Sequence, residues 1–297
     1  MPALTPDILA KIDRLELAAR QVVEGALAGR HRSPRHGFAV EFAQHREYAP
    51  GDDIRHVDWK VFARTDRYTI KQYEQETNLV AWLVVDGSES MRVGTVPDAA
   101  GYAITKYDAA CTLAAALAHL VTRQADTAGL VLYADRVRTL LRPSGQSGQV
   151  RDIIRTLAAA PPSGEARTGP VLRDAAAAFG RRGVVFLFSD LLDDVDDLVG
   201  GLRVLKSQKH DVSLFQVLDA AEVDFAFRQP TLFRGLEGLP EVTTDPPAVR
   251  DAYLAAFGRH QTELAGACRT LGIDLTPVRT DADLGAALAA VVRARGG

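Results

Sequence analysis

The chain has 297 residues, 47% of them hydrophobic, and 35 Lys+Arg against 38 Asp+Glu give a formal net charge of -3. That length suits one elaborated α/β domain or two small ones, and the balanced charge excludes both a global basic field for nucleic acid and an acidic tail. No apolar run approaches the roughly 20 residues needed to span a bilayer, and Met1 to Leu27 lacks the basic start and apolar core of a signal peptide, so a soluble protein with no membrane span is expected, and its two cysteines, read as buried free thiols, fit a reducing, cytoplasmic setting.

Ile8, Ile12, Leu15, Ala19 and Val22 line one stripe of an amphipathic helix over Pro6 to Leu27, ended by Gly29. Asp13, Glu16 and Glu24 interrupt any basic face, which favours packing on protein over lying on a membrane. The basic run Arg30 to His36 reads as a solvated loop, because no aromatic residues interleave to stack bases. His31, His36, His45 and His56 match no zinc spacing. From Gly37 to Glu76, β-like pieces at Phe38 to Phe42, Tyr48 to Asp53, Val57 to Trp59 and Tyr68 to Lys71 alternate with turns, Pro50-Gly51 the strongest of them. Charges of alternating sign there, from Arg46 to Arg67, suggest a lattice of ion pairs holding a small, poorly cored unit.

Leu79 to Val85 is an unbroken apolar run rich in β-branched residues, as expected of a central strand buried on both faces, and it ends at Asp86. Ligands of open α/β sheets bind at that end of the strands, and Asp86, Ser88 and Ser90 at alternate positions can converge on one point. One charge and two hydroxyls suit a hard cation such as magnesium, left with much of its charge and receptive to an outside acid. The plainer reading is a strand end whose Asp and Ser cap the next turn.

Further along, Lys106 to Gln124 is a strong Ala/Leu helix carrying Cys111, and Cys268 lies in a similar stretch, so two buried free thiols are expected. Gly129 to Tyr133 and Val137 to Leu141 are close enough for a hairpin, making the second run an antiparallel edge strand. Helices are expected over Ser147 to Ala160 and Gly169 to Gly180, with Thr168 as the N-cap of the latter. Val184 to Asp190 repeats the buried strand ending in a carboxylate, which would put Asp86 and Asp190 on one crevice. Asp193, Asp194, Asp196 and Asp197 favour the start of a helix running to Ser207. Strands over His210 to Asp219 and Asp274 to Val278, a long helix from Asp245 to Leu271 and a last helix from Asp281 to Arg295 complete the chain. Phe225 to Arg228 and Thr231 to Arg234 flank Gln229-Pro230 as an expected hairpin.

Two resemblances follow from these residues. Asp86-Gly87-Ser88-Glu89-Ser90-Met91 resembles the metal-ion-dependent adhesion site of von Willebrand factor A domains. Gly37, Glu41-Phe42, Arg46-Glu47-Tyr48, Pro50-Gly51-Asp52-Asp53, Arg55, Asp58-Trp59, Ala63-Arg64 and Glu74-Gln75-Glu76, running into the Asp86 strand, resemble the bacterial and archaeal family known as domain of unknown function fifty-eight. The resemblance implies a von Willebrand factor A-like domain that works with a MoxR-type AAA+ ATPase in chaperone-like assembly or maturation of protein complexes. It also implies that Thr168 serves the second adhesion-site loop, with Ser163 in the same loop as the other choice, and that Asp190 serves the third.

The expected fold is a three-layer, doubly wound, mostly parallel α/β sandwich of about six strands. Residues 1–76 would form an amino-terminal helix and β-rich subdomain joined by a hairpin from 223–243, and 77–297 the α/β domain. The leading functional expectation is a non-enzymatic adaptor in which Asp86, Ser88, Ser90, Thr168 and Asp190 hold magnesium, with manganese or calcium as substitutes, and an acidic side chain of the ATPase or its client completes the shell. The rivals are a metal-dependent phosphohydrolase in the same crevice and a structural domain with a vestigial site. Against the first, Ser88 stands where an aspartyl nucleophile would want a second acid, and no Walker A loop, Gly-x-Ser-x-Gly elbow or Gly-x-Gly-x-x-Gly occurs.

Overall fold

The computed structural model describes residues 6–28, 45–47, 61, 64, 67–71, 79–97, 101, 103–180, 182–233, 235–236 and 241–295. The chain divides into two compact units, residues 35–78 and the remainder. In the smaller unit, β1 (His45–Glu47) pairs antiparallel with β2 (Thr69–Lys71), the latter within an expected strand. The other expected pieces of that block, Phe38 to Phe42, Tyr48 to Asp53 and Val57 to Trp59, lie outside the described residues.

The larger unit opens with α1 (Pro6–Ala28). Its buried residues Ile12, Ala19, Val23 and Ala26 join the core on one side of the sheet, against α2 (Lys106–Arg123), so the stripe is satisfied within the chain. The helix therefore belongs to the α/β unit and not to a separate amino-terminal subdomain, which differs from the expected division. A helix with that much apolar stripe finds more surface to cover on a sheet-backed core than on a small block of short strands.

The central sheet takes β3 (Val80–Asp86), then β6 (Thr127–Tyr133) and β7 (Val137–Ser144), then β8 (Val184–Ser189), β9 (Asp211–Leu218) and β12 (Asp274–Arg279), in the spatial order β12-β9-β8-β3-β6-β7. Every neighbouring pair is parallel except β6 and β7, so the short gap between those two strands does make an antiparallel edge. β4 (Val96–Pro97) and β5 (Ala103–Ile104) form a small hairpin between β3 and α2. Two cores flank the sheet. One holds Leu83, Val85, Phe186, Phe188 and Phe215 under α1, α2, α3 (Gln149–Ala159) and α8 (Leu284–Arg295). The other holds Trp82, Val84, Val185, Leu187 and Leu214 under α4 (Thr168–Phe179), α5 (Val195–Ser207) and the far half of α7 (Pro246–Leu271). The expected three-layer, doubly wound architecture is thus observed, with β3 and β8 side by side at its centre. Cys111 and Cys268 are buried free thiols.

The aromatic run after β9 does not form the expected hairpin. β9 leads into the short α6 (Ala220–Asp224), capped by Phe225 in the left-handed region at φ 42°. β10 (Thr231–Phe233) pairs with β11 (Val242–Thr244) instead, and both belong to the larger unit. Phe225 stacks on Tyr253 of α7 with ring centroids 4.4 Å apart, and Phe227 meets Phe233 edge-on at 5.2 Å, so these rings pack on one another and not in a ladder.

Candidate functional site

The crevice lies at the carboxyl ends of β3 and β8, where Val85 is opposite Phe188 in the parallel register and the chain leaves the sheet at Asp86 and at Asp190. Asp86 is fully buried. One oxygen, Oδ1, accepts from the Ser88 backbone N–H at 2.9 Å, and Oδ2 accepts from the Ser189 hydroxyl at 2.7 Å. The Ser88 and Ser90 hydroxyls lie 3.0 Å apart, the first fully buried and the second half-buried in a 3-10 turn over Glu89–Arg92.

Backbone bonds fix this first loop to the second. The Ser163 N–H donates to Gly87 O at 2.8 Å, and the Glu89 N–H to Gly164 O at 2.8 Å. Arg138 reaches both loops, donating to the carbonyls of Gly87 and Ser163. Thr168 is fully buried, whereas Ser163 is exposed and engages the first loop through its backbone. The Thr168 hydroxyl lies 3.0 Å from that of Tyr133, the residue paired with Asp86 across β3 and β6. Its N–H donates to Asp193 Oδ2 at 2.9 Å. Thr168 is therefore not the N-cap of α4: it is the first helical residue, the cap position is Arg167 without a side-chain cap bond, and its hydroxyl faces Tyr133.

The third loop departs most from the sequence reading. Asp190 Oδ2 accepts from Lys106 Nζ at 2.8 Å, and the same amine donates to Glu222 Oε1 at 2.6 Å, with the lysine side chain wholly buried. Burial alone would favour a neutral amine, but the two carboxylates outweigh it and hold the ammonium form more firmly than usual. Sequence reasoning saw only a helical Lys here. A signal was present: Lys106 opens a helix capped by Thr105, where a cation opposes the helix dipole, so it needs anions nearby to remain buried there. Of the four acids after Asp190, Asp194 caps α5 and Asp196 and Asp197 fill its first turn as expected, but Asp193 turns inward to Thr168.

Glycine sets how close the second and third loops come. A Cβ on Gly169 would strike the backbone carbonyl of Asp197, and one on Gly201 would lie 2.6 Å from Gly169 O. Helices α4 and α5 thus touch backbone to backbone just behind Thr168.

Among the described residues, no group of three or more His, Cys, Asp or Glu side chains could hold a metal ion, so a cation in the crevice would depend on hydroxyl oxygens. The donor set fits one. Asp86, Ser88 and Thr168 are fully buried, Asp190 nearly so, and the crevice brings two carboxylates together. Burial first, and then the charge of Asp190, raise the Asp86 carboxyl from its ordinary 3.8 to about 7 despite hydrogen bonds from Ser189 and Ser88 that pull it down. Such a pair is relieved by a hard cation on oxygen ligands.

That shift has a measurable consequence. Between its ordinary range and about 7, Asp86 binds its proton more tightly in the folded chain than in the unfolded one. Its contribution therefore makes the ion-free protein lose stability as pH rises through that window, by at most about 1.4 kcal/mol per pH unit. Asp86→Asn is expected to flatten the plot of unfolding free energy against pH from 4 to 7, measured by urea unfolding with chelator present. Identical slopes for both proteins would mean that the carboxyl titrates normally.

Comparison with known proteins places this geometry in context. The family model described as "Protein of unknown function DUF58" matches residues 44–263. An uncharacterized protein of Mycobacterium tuberculosis is 30% identical over 286 residues, covering 94% of this chain and 86% of its own length. Among solved structures, an aerotolerance-related membrane protein from Bacteroides fragilis matches at TM-score 0.45 and 14% identity, covering 73% of this chain and 98% of that one. The SpRpn10 VWA domain matches at TM-score 0.42 and 15% identity, covering 71% and 94%. No described helix of the present chain is long and apolar enough to cross a membrane.

Proposed function

We propose, given that this chain belongs to the DUF58 family and carries an Asp-x-Ser-x-Ser loop at the heart of a von Willebrand factor A-like sheet, that it is a cytoplasmic, metal-dependent protein-binding adaptor. Asp86, Ser88, Ser90, Thr168 and Asp190 are the residues that hold magnesium, directly or through water, and manganese or calcium can replace it. An Asp or Glu of the partner completes the shell, and the partner class is a MoxR-type AAA+ ATPase or its client in chaperone-like assembly. The observation that carries this reading is the buried Asp86 carboxylate beside Asp190, an arrangement of like charges that a cation relieves. Binding through an ion becomes switchable because the partner's acid has affinity for the loaded form only.

Titration calorimetry with magnesium and with manganese tests it. Wild type is expected to give a one-site isotherm that Asp86→Ala abolishes, and capture of the ATPase or its client should fail when a chelator is added. Equal heats from both proteins would defeat the reading. A structural role for the crevice is favoured by one observation, the Lys106 amine that already neutralises Asp190, and the absence of any Asp86-dependent heat would decide for it.

A further inference from the structure

The amine that neutralises Asp190 has a second seat, and this arrangement bears on how the crevice would take an ion. Lys106 Nζ is held between Asp190, which ends the third loop's approach to the crevice, and Glu222 of α6. Glu222 is itself fixed: its Oε2 accepts from the Asp219 N–H at 2.9 Å, closing a capping box at the start of α6. Asp219 in turn accepts from the Thr95 N–H at 3.0 Å and the Thr280 hydroxyl at 2.9 Å, tying it to the loops after β3 and β12. Glu222 is thus a preformed carboxylate seat, 2.6 Å from the amine. Lys106 can surrender its bond to Asp190 and remain ion-paired.

We propose that Lys106 is a built-in counter-cation that competes with a divalent ion for Asp190, and so sets how strongly the crevice binds metal. This rests on the metal reading above and goes beyond it by naming the residue that tunes it. The physical argument is charge. Asp190 and Glu222 offer two carboxylates to one ammonium and Asp86 adds a third beside Asp190; Lys106, Asp86 and Asp190 are shielded from bulk water, and Glu222 is partly exposed. A doubly charged ion reaching Asp190 from the crevice side approaches an ammonium already 2.8 Å from that carboxylate, in surroundings where like charges repel far more strongly than in water. Each cation therefore lowers the occupancy of the other at Asp190, and the coupling is reciprocal. In the ion-free protein the amine keeps Asp190 paired. In the loaded protein Glu222 retains the amine. A lysine that only props up the fold has no such coupling: its loss would lower stability without strengthening ion binding.

Manganese binding to wild type, Lys106→Met, Glu222→Gln and Asp86→Ala, followed by calorimetry and by the rise in Tm at saturation, tests the proposal. Lys106→Met keeps the aliphatic stem and removes the charge, and is expected to bind manganese about tenfold or more tighter than wild type. Its manganese-induced rise in Tm should exceed that of wild type. Glu222→Gln removes the amine's second seat, leaves it on Asp190, and should bind manganese several-fold more weakly. If Lys106→Met is unfolded without the ion, refolding on addition of manganese supports the proposal. Failure to refold, together with Glu222→Gln binding as tightly as wild type, overturns it. Asp86-dependent binding of equal or lower affinity in folded Lys106→Met overturns this proposal alone. Binding that is absent in every variant, or that survives Asp86→Ala, defeats the metal reading and this proposal with it.

Discussion

Lys106→Met is expected to lower the unfolding free energy of the ion-free protein by about 3–5 kcal/mol, measured by urea unfolding near pH 7.5 with chelator present. The substitution removes one cation and leaves a buried Asp190 and a partly buried Glu222 without their counter-charge. Breaking a buried pair from one side is costly because the charge left behind has lost both water and partner. Glu222 already stands above its ordinary range through burial, with Lys106 pulling it down, so removing the lysine leaves only the hydrogen bond from the Asp219 N–H to oppose the burial effect. Glu222 can escape the penalty by taking up a proton. The deficit relative to wild type should accordingly shrink as pH is lowered. A loss below about 1 kcal/mol at pH 7.5, with no pH dependence, would show that the amine contributes no more than a surface pair does.

The second large effect is expected at Trp82, where substitution by Ala should cost about 3–5 kcal/mol in the same assay. Trp82 is 1% exposed and stands in the middle of β3. Its ring lies 4.7 Å from that of Phe179, and its indole N–H donates to Phe179 O at 3.3 Å. Across the strand pair it faces Gly129, where an added Cβ would meet the ring at 2.9 Å, so β6 leaves a slot that this side chain fills together with Pro143. Truncation to Ala opens that slot and leaves the Phe179 carbonyl without its donor. Residues Ala81 to Val85 on either side remain paired to β6 and β8, so the site four residues downstream should keep its hydrogen bonds. A loss of less than 1 kcal/mol would mean that Phe179 and its neighbours collapse into the space.

Much of the architecture was legible because it is built from long apolar signals. The runs at 80–86 and 184–189 are buried on both faces, and that burial is what their uninterrupted hydrophobicity encodes. The α1 stripe, the antiparallel edge strand and the acid-capped α5 were readable for the same reason: each rests on neighbours within one element or one turn. The aromatic segment after β9 was misread because Phe225 and Phe227 look like strand residues by composition alone. Their use in a stacked cluster with Tyr253 and Phe233 depends on α7, which arrives some 30 residues later. Lys106 and Glu222 were missed on similar grounds. Their partnership spans 116 residues, and an ion pair between two capped helices leaves no periodicity to detect. Thr168 fits the cap preferences of a helix start, but the pull of Tyr133 and Asp193 on its hydroxyl and amide comes from the end of β6 and from the loop before α5.

The glycine contact between α4 and α5 has a bearing on how the crevice can change shape. At Gly169 and Gly201 the helices lie backbone against backbone, with no Cβ at this point of close approach to hold them apart, and Leu172 packs beside the seam. Thr168 begins one of them, and Asp193, bonded to its amide, lies two residues before the other. The second and third loops are in effect mounted on a single block. The crevice is framed like a vice, one jaw being the paired helices and the other the loop over Gly87 to Met91, which backbone hydrogen bonds with Ser163 and Gly164 hold across the gap. Substitutions at the glycine seam should therefore disturb how the second and third loops are mounted, whereas those in the Gly87 to Met91 loop should leave that block intact.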